Sequence, residues 1–119
     1  MIITKEQRAE LDTQEKVTEW VLTHAKEQGR KSIRQGSCQY RGLEHTACFV
    51  GCLILDEEYD DDMEGKSVNA LIEFLAREQP DKVELWEFLV KNRSRLMRLQ
   101  GIHDNYEVED WESKIKELL

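Results

Sequence analysis

Two stretches of helical periodicity frame a central segment that holds most of the reactive side chains of this chain. Apolar residues recur at i, i+3, i+4 and i+7 over 13–28 and again over 68–76, which is the pattern of helices with one buried face. A capping box at Asp12 and Glu15 starts the first of these helices, and Gly29 stops it. The fold must therefore bury helical faces against one another.

Two further helices are predicted towards the C-terminus. Ser67 caps the second of the helices above, and the next one is expected over 81–99, with a polar patch at 91–94 that can bend or split it. Gly101 is expected to end that helix. Asn105 then caps a last helix, whose acidic first turn suits the positive end of the helix dipole.

The central segment is less regular. Ser37–Arg41 alternates like a short strand, and Glu44–Thr46 would be its return strand, which predicts a β-hairpin. Ala47–Leu55 is apolar on every side, and we interpret it as a short buried helix starting near Thr46, with a buried strand as the alternative. A polar loop over 56–65 follows.

Together these elements predict a single domain over 1–119 of the mainly α (α+β) class. It is a compact helical domain of four to five helices with a small β-hairpin near residues 37–46. Hydrophobic residues make up 39% of the chain, enough for one core, and the charged residues, at 35%, predict a highly charged surface. Residues 1–11 are expected to be a loosely ordered polar leader, in which Thr4 and Gln7 can cap a short helix.

The formal net charge of −8 bears on the class of partner. Binding to phosphates comes mainly from Lys and Arg, so direct binding to nucleic acid or to an anionic membrane is not expected. An acidic protein instead suits a protein with a basic surface. With no apolar leader after Met1, we expect a cytoplasmic protein, either a monomer or a homodimer.

Three cysteines and one histidine lie within fifteen residues, which raises the alternative of a structural zinc module. The four candidate ligands follow a C-x6-H-x2-C-x3-C spacing: Cys38, His45, Cys48 and Cys52. The spacing lacks a C-x2-C knuckle, and buried cysteines often act as small hydrophobic residues. Apart from this alternative, the sequence predicts no cofactor.

A thiol nucleophile is a second chemical hypothesis. Cys48 would start the short central helix, whose dipole would lower the pKa of the thiol. His103 and Asp104 would serve as base and orienting group, although nothing in the sequence brings them to Cys48.

Partner recognition is the leading hypothesis, and it rests on the acidic loop, where seven carboxylates lie between 56 and 64. Arg41 would pair with Asp56 or Glu57, or, if left unpaired in a pocket, would bind an anion. The candidate binding residues are Tyr40, Arg41, Asp56, Glu57, Tyr59, Asp60, Asp61, Asp62 and Glu64.

Several of these residues form a recognisable pattern. It runs C-x-Y-R at 38–41, C-x-x-G-x-L-I-x-D-E-x-Y at 48–59 and M-E-G at 63–65, followed by L-Q-x-I-H-D at 99–104 and Trp111. This pattern resembles a group of small uncharacterised phage and bacterial proteins, over roughly residues 13–118 of the chain.

The resemblance implies a phage or bacterial origin and carries no known activity. The chain departs from the group at Leu55, where a proline often stands, and at Cys52, where a small residue is common, which weakens a zinc site built on Cys52. Acidity and resemblance together predict a small accessory protein, phage-encoded and active in the host cytoplasm, that binds a host protein and inhibits or redirects it. That host protein would be a nucleic-acid-binding or defence protein. The alternative is a small enzyme or ligand-binding protein with a site around Cys48, Arg41, Asp56 and His103.

Overall fold

The computed structural model of the protein describes residues 2–119 and confirms a mainly α fold with a small antiparallel hairpin. The described residues contain six α-helices, against the four to five that the sequence predicts. The elements in chain order are α1 (Lys5–Ala9), α2 (Gln14–Gln28), β1 (Ile33–Arg34), β2 (Ser37–Cys38), α3 (Val68–Glu78), α4 (Val83–Lys91), α5 (Arg93–Asn105) and α6 (Val108–Lys116). In this range, no helix has the length and apolar content needed to cross a membrane.

The helices α2 and α3 form where the periodicity predicts them. Gly29 ends α2 in the left-handed conformation, and the Ser67 hydroxyl caps α3 by accepting from the amide of Ala70. The cap of α2 is Thr13, which accepts from the amide of Lys16, so the predicted capping box at Asp12 is wrong.

The predicted helix over 81–99 is two helices that meet at Asn92. Asn92 is buried, and its side-chain amide donates to the carbonyl oxygen of Phe88 (2.9 Å). Gly101 does not end α5, because Ile102 and His103 continue its buried face to Asn105. A glycine inside a helix costs about 0.5–1 kcal/mol, less than the burial of that face contributes.

The hairpin lies earlier in the chain than the sequence predicts. Ile33 pairs with Cys38 and Arg34 with Ser37, around a two-residue turn in which both residues have positive φ. The return strand predicted at 44–46 is instead part of a 3-10 turn. Ile33 and Arg34 therefore form the first strand of the hairpin.

The segment over 47–55 is buried throughout, but it is neither a strand nor an α-helix. It forms a 3-10 turn at Gly51–Leu53 and otherwise runs as irregular chain through the core. Gly51 packs directly on the backbone of Tyr40, where a Cβ would lie 2.2 Å from the carbonyl oxygen. Irregular chain in a core is tolerated when its polar groups find partners, and Arg41 donates to the carbonyl oxygens of Gly51 (2.5 Å) and Ile54 (2.8 Å).

Residues 2–11 are anchored to the core, which differs from the expected loose leader; Met1 lies outside the described residues. The Thr4 capping box is present and starts α1. The side chain of Ile3 is 1% exposed. Arg8 forms a bidentate ion pair with Glu58 (2.6 and 2.7 Å) and also donates to the carbonyl oxygen of Leu53 (3.1 Å).

A buried aromatic cluster joins the helices to the central segment. Phe49 contacts Trp111 edge to face (ring centroids 4.7 Å apart) and His103 in the same way (5.1 Å). His103 in turn stacks on Trp111. His24 closes the cluster from α2, and its Nε2 donates to the carbonyl oxygen of Ala47 (2.8 Å). His24 is therefore a core residue.

Burial makes the stability of the fold depend on pH through His24. Burial lowers the pKa of His24 below its ordinary value of 6.5. Between the two pKa values, His24 is therefore protonated in the unfolded chain and neutral in the folded protein. We expect the free energy of unfolding to decrease as the pH falls below 6.5, by about 1.4 kcal/mol per pH unit until the pKa of the folded state is passed.

Urea unfolding at about pH 7.5 and about pH 5.5 measures this dependence. His24→Gln keeps a donor for Ala47 but cannot titrate, so its stability should change less between the two conditions. The exposed His45→Gln is the matched control and should behave like the wild type. If the free energy of unfolding of His24→Gln falls as steeply with pH as that of the wild type, another group must be responsible.

Candidate functional site

Most carboxylates of the acidic loop are bound inside the protein. The two oxygens of Glu64 accept from the amides of Tyr40 (2.8 Å) and Arg41 (3.0 Å), and one of them also accepts from the Tyr59 hydroxyl (2.6 Å). Glu58 is held by Arg8 and accepts from the amide of Leu55 (3.0 Å). Glu64 and Glu58 are therefore structural residues that hold the loop against the core.

Two more loop carboxylates have internal roles. Asp60 caps the 3-10 turn Asp61–Met63 through the amide of Asp62 (2.8 Å) and accepts from Gln79 (3.1 Å). The hydrogen bond from the Asp62 amide is the main cause of the lowered pKa of Asp60. Asp56 pairs with Arg41 (3.0 Å), which is one of the two pairings that the sequence predicts.

The aromatic candidates are also engaged. Tyr40 is 5% exposed, and its hydroxyl donates to the carbonyl oxygen of Lys66 (2.5 Å). The Tyr59 ring lies under the Arg41 guanidinium, 5.1 Å from the ring centroid. Burial raises the pKa of both phenols, so neither ionises near neutral pH. Of the predicted binding residues, four acidic ones are exposed: Asp56, Glu57, Asp61 and Asp62. One of these, Asp56, forms an ion pair with Arg41.

The four predicted zinc ligands do not come together. Within residues 2–119, no three of them place ligand atoms within 4.8 Å of one another. His45 is exposed in a left-handed turn, whereas Cys48 and Cys52 point into the core. The zinc hypothesis on Cys38, His45, Cys48 and Cys52 therefore lacks its geometry.

The nucleophile hypothesis on Cys48 fails for a related reason. Burial raises the pKa of Cys48 to about 12 and that of Cys52 well above its ordinary value. No α-helix begins at Cys48, so no helix dipole opposes this effect. The thiol therefore stays protonated at neutral pH, which does not favour a nucleophilic role for Cys48.

Alkylation by iodoacetamide tests the state of the thiols. Cys38 is half-buried, with a pKa raised to about 11 by burial and by the nearby Asp104, so we expect it to react first but slower than free cysteine. Cys48 and Cys52 should react only as the protein unfolds. Mass spectrometry of digests over time gives the order, and fast labelling of Cys48 in the folded state would contradict it.

Cys38, and not Cys48, lies beside His103 and Asp104. The ligand atoms of these three residues are within 4.8 Å of one another. The amide of Ser32 donates to His103 Nε2 (3.2 Å), which leaves the ring proton on Nδ1, and Nδ1 donates to Asp104 Oδ1 (2.9 Å). Gln100 donates to the same oxygen (2.9 Å). Ser32, His103 and Asp104 thus form a hydrogen-bonded chain that ends at a carboxylate.

This donor set does not suit a metal ion. A neutral histidine binds a metal through an unprotonated nitrogen. In His103, Nε2 faces the Ser32 amide and Nδ1 carries the proton given to Asp104, so neither nitrogen is free to coordinate. The cluster is better described as an arrangement that orients Asp104.

An open groove of about 620 Å³ lies beside this cluster, and we call it the Asp104 groove. Its lining comes from Ser37–Tyr40, from Glu64–Val68 and from the face of α5 that carries Met97, Gln100, Gly101 and Asp104, with Cys48 beneath. Met97 is 46% exposed and adds apolar surface.

Three charged side chains line the groove: Glu64, Lys66 and Asp104. Glu64 is bound to the amides of Tyr40 and Arg41, and the Lys66 ammonium lies over the Phe74 ring, whereas the side chain of Asp104 is 40% exposed. Burial alone would raise the pKa of Asp104, but hydrogen bonds from His103, Cys38 and Gln100 outweigh this effect and lower it. The groove therefore holds a fixed, oriented negative charge next to apolar surface. Such a group can bind a cation, but its low pKa makes it a weak general base.

Two residues that line the groove with Asp104, Gln100 and Met97, are not among the candidate residues predicted from the sequence. Gln100, four residues before Asp104, and Met97 lie on the same face of α5, and this spacing is the signal that would have found them. No local spacing of this kind marks Arg8 or Ser32, whose partners lie far away in the sequence. The residues of the alternative enzyme site are divided, because Arg41 and Asp56 line a different cavity from Cys48.

Comparison of the chain with family models, with curated proteins and with solved structures found no significant match.

Proposed function

We propose that the protein is a non-catalytic binding protein that takes a Lys or Arg side chain of a basic partner protein into the Asp104 groove. The observation that carries the proposal is the oriented carboxylate of Asp104, which is fixed by His103 and Gln100 and keeps a lowered pKa at a partly exposed position. A charge fixed in advance costs little reorganisation when a cation binds.

The surroundings of the groove support a basic partner. Glu64 lines the groove and accepts from the Tyr59 hydroxyl (2.6 Å). The same hydroxyl lies 3.3 Å from the exposed Asp61, so this carboxylate adjoins the groove. Asp62 adds a second exposed carboxylate there. Together with the net charge of −8, these groups would steer a basic surface towards the groove.

The biological role belongs to the same proposal. An acidic protein that occupies the basic surface of a host protein would inhibit or redirect it, and a phage origin would follow from the resemblance described above. Occupying the binding surface of a nucleic-acid-binding or defence protein needs no direct contact with nucleic acid or membrane.

The test is binding of a short fluorescent Arg-rich peptide, followed by anisotropy at low salt. Asp104→Asn removes the charge while keeping an acceptor, and we expect it to weaken binding about tenfold, as for the loss of one charge-assisted hydrogen bond. Asp81→Asn makes the same chemical change at an exposed residue that does not line the groove, and should change binding less than about twofold.

A second variant separates steering from capture. Asp61→Lys with Asp62→Lys should slow association and leave dissociation nearly unchanged, because these residues adjoin the groove without lining it. Equal weakening by Asp104→Asn and Asp81→Asn would mean that the peptide senses only overall charge, which would overturn the proposal.

A further inference from the structure

A second cavity, of about 470 Å³, lies on another part of the central segment and shares no lining residue with the Asp104 groove. We call it the Arg34 pocket. It is lined by the N-terminal residues, by Arg34 of the hairpin, and by parts of 41–56. Cavities of this size hold small molecules.

Much of its wall is apolar. Ile3 and Ile54 are buried behind it, with exposures of 1% each. Ile2 and Leu43 line it and are 65% and 57% exposed, which is high for large apolar side chains. Covering these two residues with an apolar ligand would remove them from water, at about 25 cal/mol per Å².

The acidic side chains of the pocket are already compensated. Asp56 pairs with Arg41, and Glu44 pairs with Arg30. The Arg41 guanidinium is in turn committed to the carbonyl oxygens of Gly51 and Ile54. Neither carboxylate therefore offers a free charge to a ligand.

Arg34 is the charge that remains. It lines the pocket and, within residues 2–119, has no hydrogen bond or ion pair from its side chain. His45 lies in the same lining, is exposed, and offers at least one ring N–H whatever its protonation state. The uncompensated groups of this pocket are thus donors and positive charge, in a protein whose net charge is −8.

We propose that the Arg34 pocket binds a small amphipathic anion, with its apolar body against Ile2, Ile3 and Leu43 and its acid group at Arg34, assisted by His45. This site is separate from the Asp104 groove, and it goes beyond the partner binding proposed there. The overall charge repels anions, so a local cation is the condition for such a ligand to stay.

Fluorescence titration with anilinonaphthalene sulfonate tests the proposal, because this probe joins an apolar ring system to one sulfonate. Its uncharged relative, phenylnaphthylamine, has a similar apolar body without the anion. We expect Arg34→Gln to weaken binding of the sulfonate about tenfold and to change binding of phenylnaphthylamine less than about twofold. Leu43→Asn should weaken both probes.

Arg93→Gln is the matched control, since Arg93 is exposed on α5 and outside the pocket, and it should bind both probes like the wild type. Near-UV circular dichroism of each variant checks that the probe reports a folded protein.

Sulfonate binding that is equal in wild type and Arg34→Gln would overturn the proposal. Sulfonate binding that is lost on formation of a dimer, seen by sedimentation, would also overturn it, since a second copy would then be the occupant. Asp104→Asn should bind both probes normally, which keeps this result independent of the partner-binding test.

Discussion

Substitution of Gly51 by alanine is expected to lower the free energy of unfolding by about 3 kcal/mol or more. The added Cβ would lie 2.2 Å from the carbonyl oxygen of Tyr40 and 2.9 Å from both its carbonyl carbon and Cα. All three atoms are backbone, and Tyr40 cannot retreat, because Glu64 holds its amide and its ring is buried. Arg41 fixes the other side of the contact through the Gly51 carbonyl.

Gly101→Ala is the matched control. Gly101 lies inside α5, and an added Cβ there would lie 3.9 Å from the side-chain nitrogen of Asn105, which is an ordinary van der Waals contact. The substitution should stabilise the protein by about 0.5–1 kcal/mol, the usual helix preference of alanine over glycine. Urea unfolding measures both variants. If Gly51→Ala unfolds at the wild-type urea midpoint, the central segment must move more freely than this close packing allows.

Arg8→Met is expected to have the second large effect, a loss of about 3–5 kcal/mol. The side chains of Arg8 and Glu58 are 5% and 13% exposed, so removing the cation leaves a nearly buried carboxylate without its partner. Methionine keeps most of the apolar bulk that Arg8 places over the Phe88 ring. The loss should therefore come mainly from the charge and from the Leu53 carbonyl that Arg8 also binds.

Lys5→Met provides the comparison, because Lys5 pairs with Glu84 at the surface, where the two side chains are 64% and 61% exposed. An exposed pair is worth about 0–1 kcal/mol, so this variant should unfold almost like the wild type. The double variant Arg8→Met with Glu58→Met should recover part of the stability lost by Arg8→Met alone, since it leaves no unpaired charge. Equal stability of Arg8→Met and Lys5→Met would show that the buried pair does not anchor α1.

The sequence predicts the fold where local signals decide it. The α2 and α3 helices combine a regular apolar stripe with caps, and both are determined within their own residues. The hairpin is predicted but placed too late in the chain, because its turn, Gln35–Gly36, is not one of the strong two-residue turn signals, although both residues take the required positive φ. The helix end predicted at Gly101 is wrong because burial of Ile102 overrides local preference.

In the candidate site, too, local features are predicted and tertiary contacts are not. The sequence identifies His103 and Asp104 as a pair but assigns them to Cys48, because nothing local indicates that α5 packs beside the hairpin that carries Cys38. The sequence also predicts that the acidic loop is a surface for partner recognition, whereas Glu58 and Glu64 bind within the protein. The distant partners of Glu58 and Glu64 are separated from them by 50 residues and by 23 or 24 residues, and such pairings follow only from tertiary packing.

The internal use of Glu58 and Glu64 has a consequence for ionic strength. Salt at physiological concentration screens charges over about 8 Å, and it acts on groups that face solvent much more than on groups held inside the protein. Raising the salt should weaken the proposed association of a basic partner with Asp104, Asp61 and Asp62, and leave the two structural carboxylates nearly unaffected. The steepness of that salt dependence would then count the carboxylates that reach a partner, and this number is smaller than the formal charge suggests.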